Sequence, residues 1–213
     1  MRELTIVIKT HNYYDNIDAL LLSVFCQSLQ NYNIIFVDYN STDGTFELLQ
    51  QYEKADSRIS IRQTNDDFQA YCANLVNEID TPYVFFVDAH NMGIIAQNGF
   101  NRLIYTLKQT GSDFVYMNCA YLDKEDFSVL PYKYLDKGYI KEGQKDLFSL
   151  PDNVLSVINL SIYGKMFTTE FLRNNLKSGM CLLKSDNMTF EFANMYIQYI
   201  THDDYLKMLC ERS

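Results

Sequence analysis

Apolar residues in the first ninety positions fall in short runs that stop abruptly at small polar and acidic residues. Leu4 to Ile8 is continuous and apolar between polar flanks, the pattern of a strand buried on both faces. Asn33 to Val37 and Tyr83 to Val87 repeat it, and Ile59 to Arg62 is a shorter version. Between these runs the spacing of apolar residues becomes three and four. Ile17, Leu20, Leu21, Val24 and Phe25 predict a helix over Asn16 to Leu29, with Asp15 or Asn16 as its N-cap. Ser41-Thr42-Asp43-Gly44 reads as a turn that launches a helix from Thr45 to about Tyr52, and Ala70 to Ile79 as a third helix. Strands alternating with helices over short connections predict parallel strands with right-handed crossovers.

After Asn91 the rhythm changes. Gly99 to Thr110 is amphipathic and predicts a helix; Phe114 to Leu122 reads as a strand with mixed faces. Lys124 to Pro151 is polar and poorly periodic, a long excursion of the kind that often carries function. Ile158 to Ile162 is a strand candidate and Thr168 to Asn174 a helix. Phe190 to Tyr199 is apolar enough to predict a helix, and Tyr205 to Cys210 a last helical turn or two.

Composition narrows the classes. The 213 residues suit one large domain with a real core, and 47% hydrophobic with 21% charged residues is ordinary for a soluble protein. A net charge of −9 argues against a nucleic-acid partner held through its phosphates, which wants a basic face. It also means that an anionic ligand needs a metal ion, backbone N–H groups or local cations. Five cysteines (Cys26, Cys72, Cys119, Cys181, Cys210) are odd in number and lack CxxC spacing, so reduced thiols and a cytoplasmic location are expected. No charged-then-apolar leader precedes the first strand, and no apolar run approaches the ~20 residues of a transmembrane segment.

Three phrases carry the candidate chemistry: Lys9-Thr10-His11-Asn12, Val37-Asp38-Tyr39-Asn40-Ser41-Thr42-Asp43-Gly44, and Phe86-Val87-Asp88-Ala89-His90-Asn91. Each closes a strand, and polar groups at the carboxyl ends of parallel strands are where open α/β sheets bind ligands. Their order resembles family 2 glycosyltransferases of the GT-A fold. Thr10-His11-Asn12, followed by Ser23 to Leu29, is similar to that family's Thr-x-Asn turn and helix ending near a Gln. Asp38 to Thr45 is similar to its Asp-Asp-Gly-Ser-Thr-Asp phrase, and Asn74 with Asp88-Ala89-His90 to its helical Asn and Asp-x-Asp. Tyr163-Gly164-Lys165-Met166-Phe167, Glu170-Phe171-Leu172 and Ser185-Asp186-Asn187-Met188-Thr189-Phe190 resemble its later Gly-Lys-Leu-Phe and Glu-Asp phrases.

The resemblance implies an α/β fold with a Rossmann-like nucleotide-binding half and a mostly parallel central sheet, helices on both faces. It implies a single domain over 1–213, with 1–91 as the nucleotide-sugar-binding half and 92–213 as the acceptor-side half. The implied activity is inverting transfer of a sugar from a nucleoside-diphosphate sugar, UDP-linked by expectation, to a glycan or lipid-linked acceptor. A protein of this kind can work peripherally at a membrane. The implied cofactor is Mn²⁺ or Mg²⁺, with Asp88 and His90 as ligands; His90 stands where the family has its second Asp, and imidazole suits manganese better. Thr10, His11, Asn12, Asp38, Tyr39, Asp67, Asn74 and Asp88 are the implied donor-binding residues, and Asp186 the general base.

Each of these has a plainer reading. His90 can hydrogen-bond a neighbour, Tyr39 can be a packing residue, Thr10 and Asn12 can hold a turn, and Asp186 can cap a helix. Asp43 is read as a cap for the helix after it, Asp66-Asp67 equally as a solvated pair, Lys165 as structural, and His202-Asp203-Asp204 as a solvated turn. Tyr39, His90 and Ala73 (the family commonly has Arg there) depart from the pattern. They keep open a catalytically impaired relative that binds a nucleotide or glycan, or supports a partner subunit. A nucleotidyltransferase ranks lower, because no Gly-rich basic loop follows the first strand.

Overall fold

A computed structural model describes residues 2–90, 97–123, 129–130, 162–176 and 188–200. Strand β1 (Leu4–Thr10) leads through a 3₁₀ turn (Tyr14–Asn16) into helix α1 (Ile17–Phe25). Then follow β2 (Tyr32–Asp38), α2 (Thr45–Ala55), β3 (Ile59–Gln63), α3 (Phe68–Leu75), β4 (Tyr83–Asp88), α4 (Gly99–Thr110) and β5 (Phe114–Asp123). The remaining described elements are β6 (Val129–Leu130), β7 (Lys165–Thr168), α5 (Thr169–Asn175) and β8 (Met188–Ile200).

The strands form one sheet in the order β3-β2-β1-β4-β7-β5-β6, with β8 paired to β5. β3, β2, β1 and β4 are mutually parallel, as the alternation predicts, while β7 runs antiparallel between β4 and β5. β8 runs parallel along the whole of β5, so β6 and β7 share the other edge of that strand. The chain steps outward from β1 to β2 to β3 and then returns to β4 on the opposite side of β1. That reversal changes which face the connecting helices cover. Leu4, Ile6 and Ile8 pack with Leu20, Leu21 and Val24 of α1, Leu49 of α2 and Phe100, Leu103 and Leu107 of α4. Val7, Val37, Val84 and Phe86 pack on the other face with Phe68, Cys72 and Leu75 of α3 and Phe171 and Leu172 of α5. Helices therefore lie on both faces of a mostly parallel sheet.

Several boundaries move from expectation. Asn16 occupies the N-cap of α1 but makes no side-chain cap bond. The preceding 3₁₀ turn does that work, its Tyr13 and Tyr14 carbonyls accepting from the Asn16 and Ile17 N–H groups. The same helix stops at Phe25 rather than Leu29, where the Gln30 side-chain amide donates to the Gln27 carbonyl at 2.6 Å. The expected helix over Phe190 to Tyr199 is a strand, β8. Its Phe, Tyr, Ile and Thr residues suit a pleated surface, and pairing along all of β5 outweighs a short apolar run that periodicity alone could not assign. β7, four residues long, has no counterpart in the sequence reading. The strand candidate Ile158 to Ile162 (except Ile162, which is not in a strand), most of the excursion at 124–151, Asn91, Asp186, the turn at 202–204 and the stretch Tyr205 to Cys210 lie outside the described residues. No helix among the described residues is long and apolar enough to cross a membrane.

Candidate functional site

The reversal in strand order leaves a crevice beyond the carboxyl ends of β1 and β4, the usual ligand position in such sheets. Its lip is built by the loops after β1, β2 and β3, and their side chains tie them together. Asp38 ends β2 in register with Thr10 and Gln63 and is fully buried. Its carboxylate accepts from the Ser41 N–H at 3.0 Å, the Ser41 hydroxyl at 2.5 Å, the Gln63 amide at 3.3 Å and the Thr10 hydroxyl at 3.4 Å. Four donors from three strand ends make Asp38 the knot of the lip. Asn12 and Asn40 adopt left-handed backbone angles, φ 48° and 47°, a conformation that asparagine tolerates better than most residues. The Asn12 side-chain oxygen accepts from the Thr42 N–H at 2.8 Å, and its own N–H donates to the Ser41 hydroxyl at 2.9 Å. Asn40 donates through its side-chain amide to Asn65 beyond β3.

His11 closes the same network. Its Nδ1 lies 2.6 Å from the Tyr39 carbonyl, which can only accept, so Nδ1 carries the proton. Nε2 then accepts from the Asn12 amide at 3.3 Å. Asp43 caps the start of α2, its Oδ1 accepting from the Thr45 N–H at 3.0 Å and the Thr45 hydroxyl at 2.6 Å. Its Oδ2 accepts from the Tyr14 N–H at 3.0 Å, which joins the β1 loop to that helix. Partial burial of the Asp43 carboxyl raises its pKa, but these donors outweigh burial and hold it below its ordinary 3.8.

On the face of the sheet covered by α3, Tyr39, Lys9 and Asp88 stand side by side. The Lys9 Nζ lies 3.8 Å from Asp88 Oδ2 and 5.5 Å from the centre of the Tyr39 ring. Tyr39 leans on Phe68, and its hydroxyl is buried without a hydrogen-bond partner among the described residues. Burial, then the neighbouring Cys72 and Asp67, raise its pKa so that the phenol stays neutral. Tyr163 stacks on Phe68 with ring centres 5.5 Å apart, and burial followed by Asp88 raises its pKa as well. Across the crevice the His90 N–H donates to Asp88 Oδ1 at 3.2 Å. The His90 ring Nε2 donates to the His11 carbonyl, and Tyr13 packs edge-on against the same ring at 4.9 Å.

Thr10, His11, Asn12, Asp38, Tyr39, Asp88 and His90 are thus brought to one rim. Asp67 reaches it from α3, whose N-terminus its Oδ1 caps by accepting from the Gln69 and Ala70 N–H groups at 3.0 and 3.1 Å. Asn74 is exposed two turns down the same helix, about 10 Å from Asp67 along the axis. For a divalent cation, Asp88 offers a hard carboxylate oxygen at the rim. His90 offers only Nδ1, because Nε2 carries the proton given to His11. No group of three metal-type side chains occurs among the described residues. Lys165 is buried, its Nζ 3.5 Å from the Tyr163 carbonyl, as a structural reading expects. Sequence reasoning missed Lys9 and Tyr163. The signal for Lys9 was its parity: it shares a face with Val7 and stands in register with Asp88.

The family model described as glycosyl transferase family 2 matches residues 5–159. The chain belongs to that family. The match takes in every rim residue from Lys9 to His90 and stops short of Tyr163 and Asp186. Over 162 residues the family 2 chain is 26% identical to the processive diacylglycerol beta-glycosyltransferase of Mycoplasma pneumoniae, covering 72% of this chain and 45% of that protein. It therefore spans less than half the length of that curated relative. Staphylococcus aureus TarS in complex with UDP-GlcNAc superposes with a TM-score of 0.71 at 13% identity, covering 99% of this chain and 65% of that one. The mannosyltransferase PcManGT of Pyrobaculum calidifontis, in complex with GDP-Man and Mn²⁺, gives 0.60 at 15% identity over 94% and 57%. Likeness at this level of identity establishes the GT-A fold.

Proposed function

We propose that this family 2 member binds a nucleoside-diphosphate sugar, UDP-linked by preference, at the tips of β1, β2 and β4 and transfers the sugar with inversion to a glycan or lipid-linked acceptor. The observation that carries the reading is the crevice at the strand reversal, walled by Asp88 and Lys9 on one side and by the Asp38 knot on the other. The tied lip of Thr10, His11, Asn12 and Asp38 gives the nucleoside a rigid wall. Tyr39 and Asp67 border it from the α3 side, with Asn74 further out. Asp88 is the anchor for Mn²⁺ or Mg²⁺, with His90 contributing through Nδ1. Held by these residues, such a cation would supply positive charge to offset the negative charge that grows on the departing nucleoside diphosphate. Asp186 is the general base for the acceptor hydroxyl, a role carried by its likeness to the family's Glu-Asp phrase. UDP is favoured by the TarS complex and a lipid-linked acceptor by the name of the Mycoplasma relative, both at partial coverage. The free thiols of Cys26 and Cys72 suit a reducing cytoplasm.

The test is a panel of nucleotide sugars screened for hydrolysis and transfer, with Mn²⁺ and with chelator. Turnover of at least one donor is expected, along with a fall of about 100-fold or more in Asp186→Asn, in line with loss of a general base. Near-wild-type turnover in that variant removes Asp186 from the mechanism. A binding-only reading draws on the altered positions Tyr39, Ala73 and His90 and on the His90–His11 hydrogen bond. Nucleotide affinity without turnover of any donor on the panel would select it.

A further inference from the structure

Lys9 has no place in the roles assigned so far, yet its head group stands at the centre of the rim. Strand parity puts it on the face of Val7, under α3, and register puts it beside Asp88 on β4 and Val37 on β2. Its side chain is 33% exposed and that of Asp88 12%, so the ammonium sits at the mouth and the carboxylate just below it. An ion pair this open and this long, at 3.8 Å, contributes little to folding. Lysine is also a poor choice for a fixed strut, being a point charge on a flexible four-carbon stem. What the pair does is hold a cation among acids and rings, Asp88, Asp67, Tyr39, Phe68 and Tyr163, while Arg62 stands two strands away in the same row. In a protein of net charge −9, a polyanion entering that crevice meets repulsion unless a local positive charge offsets it. The facing helix does not supply one: from Phe68 to Leu75 it carries no charged residue.

We propose that Lys9 is a binding residue for the diphosphate of the donor, exchanging its Asp88 partner for a phosphate oxygen of the bound nucleotide. This rests on the donor-binding reading above. The Tyr39 ring is the guide for that movement. Its face stabilises the ammonium through a cation–π contact without committing any of the three N–H donors. Asp88 and Lys9 then act as a matched pair: the carboxylate faces a cation in either state, and the ammonium always faces an anion. Tyr39 becomes a positioning residue for Lys9, acting on the donor's phosphates through the ammonium.

The experiment measures binding of UDP and GDP by calorimetry with Mn²⁺ and in chelator, and of uridine and guanosine by ligand-observed NMR, for wild type, Lys9→Met and Lys9→Arg. Methionine keeps the stem and removes the charge; a thermal melt of each variant checks the fold. The expected result is a loss of about ten-fold or more in diphosphate affinity for Lys9→Met. Lys9→Arg should stay within about three-fold of wild type, and nucleoside binding should be unaltered in both. Unchanged diphosphate affinity in a folded Lys9→Met overturns the proposal. So does a parallel loss for nucleoside and diphosphate, since that is what a merely structural lysine would give. Wild-type protein that binds neither diphosphate, with Mn²⁺ or in chelator, sinks the donor-binding reading itself, a different failure from either of these.

Discussion

Asp38 shows how a residue can be indispensable to a site while facing away from solvent. Its four donors come from Thr10, Ser41 and Gln63, so removing the carboxylate strands several buried polar groups at once. Asp38→Ala should cost about 2–4 kcal/mol in urea unfolding, the range for breaking a buried hydrogen-bond network. Tyr39→Phe should move the other way or not at all, between zero and about 1 kcal/mol more stable, because the deleted hydroxyl is buried and unpartnered among the described residues. Asp43 ties stability to pH. Its folded pKa lies below 3.8, so its contribution is complete above that value and is lost as the pH falls through the folded pKa. Asp43→Ala should therefore destabilise by about 0.5–2 kcal/mol near neutrality, and the gap to wild type should narrow in melts below pH 3.8. The capping role of Asp43 was legible in sequence, since Asp before Gly-Thr at a helix start has a local cause. The partners of Asp38 and Lys9 were not, because they depend on which strands become neighbours.

At the scale of elements, the turn from β2 into α2 depends on Gly44. It holds φ at +95°, and a Cβ there would meet the Tyr14 ring at 3.3 Å. Gly44→Ala should lose about 1–2 kcal/mol by chemical denaturation, through left-handed strain and displacement of that ring. The parallel half of the sheet was readable because its strands are buried on both faces and its helices have clear periodicity. β8 was misread, and β7 missed, for related reasons. A ten-residue apolar run fits either state by itself, and a four-residue strand carries almost no pattern; pairing with β5 decides both. Asp67 illustrates a boundary effect: helix α3 starts at Phe68, two residues before the expected Ala70, so a rim carboxylate doubles as its cap.

For the whole molecule, one sheet runs through both of the expected halves. β7 lies between β4 and β5, and its Phe167 is wholly buried among Phe86, Phe114 and Phe171 at ring distances of 6.1, 5.2 and 6.3 Å. The molecule should unfold in one cooperative transition, and Phe167→Ala should shift it by about 3–5 kcal/mol without splitting it. Two resolved transitions in calorimetry would mean that 1–91 and 92–213 are separate domains. The centre of the sheet carries one last implication. From Leu4 to Ile8, β1 presents no residue more than 2% exposed, so almost any change there harms folding. Beyond Ile8 the strand opens to the rim at Lys9, one-third exposed, before Thr10 is buried again in the Asp38 network. Architecture and ligand preference therefore meet on this strand at one position, where a change of charge leaves the frame standing.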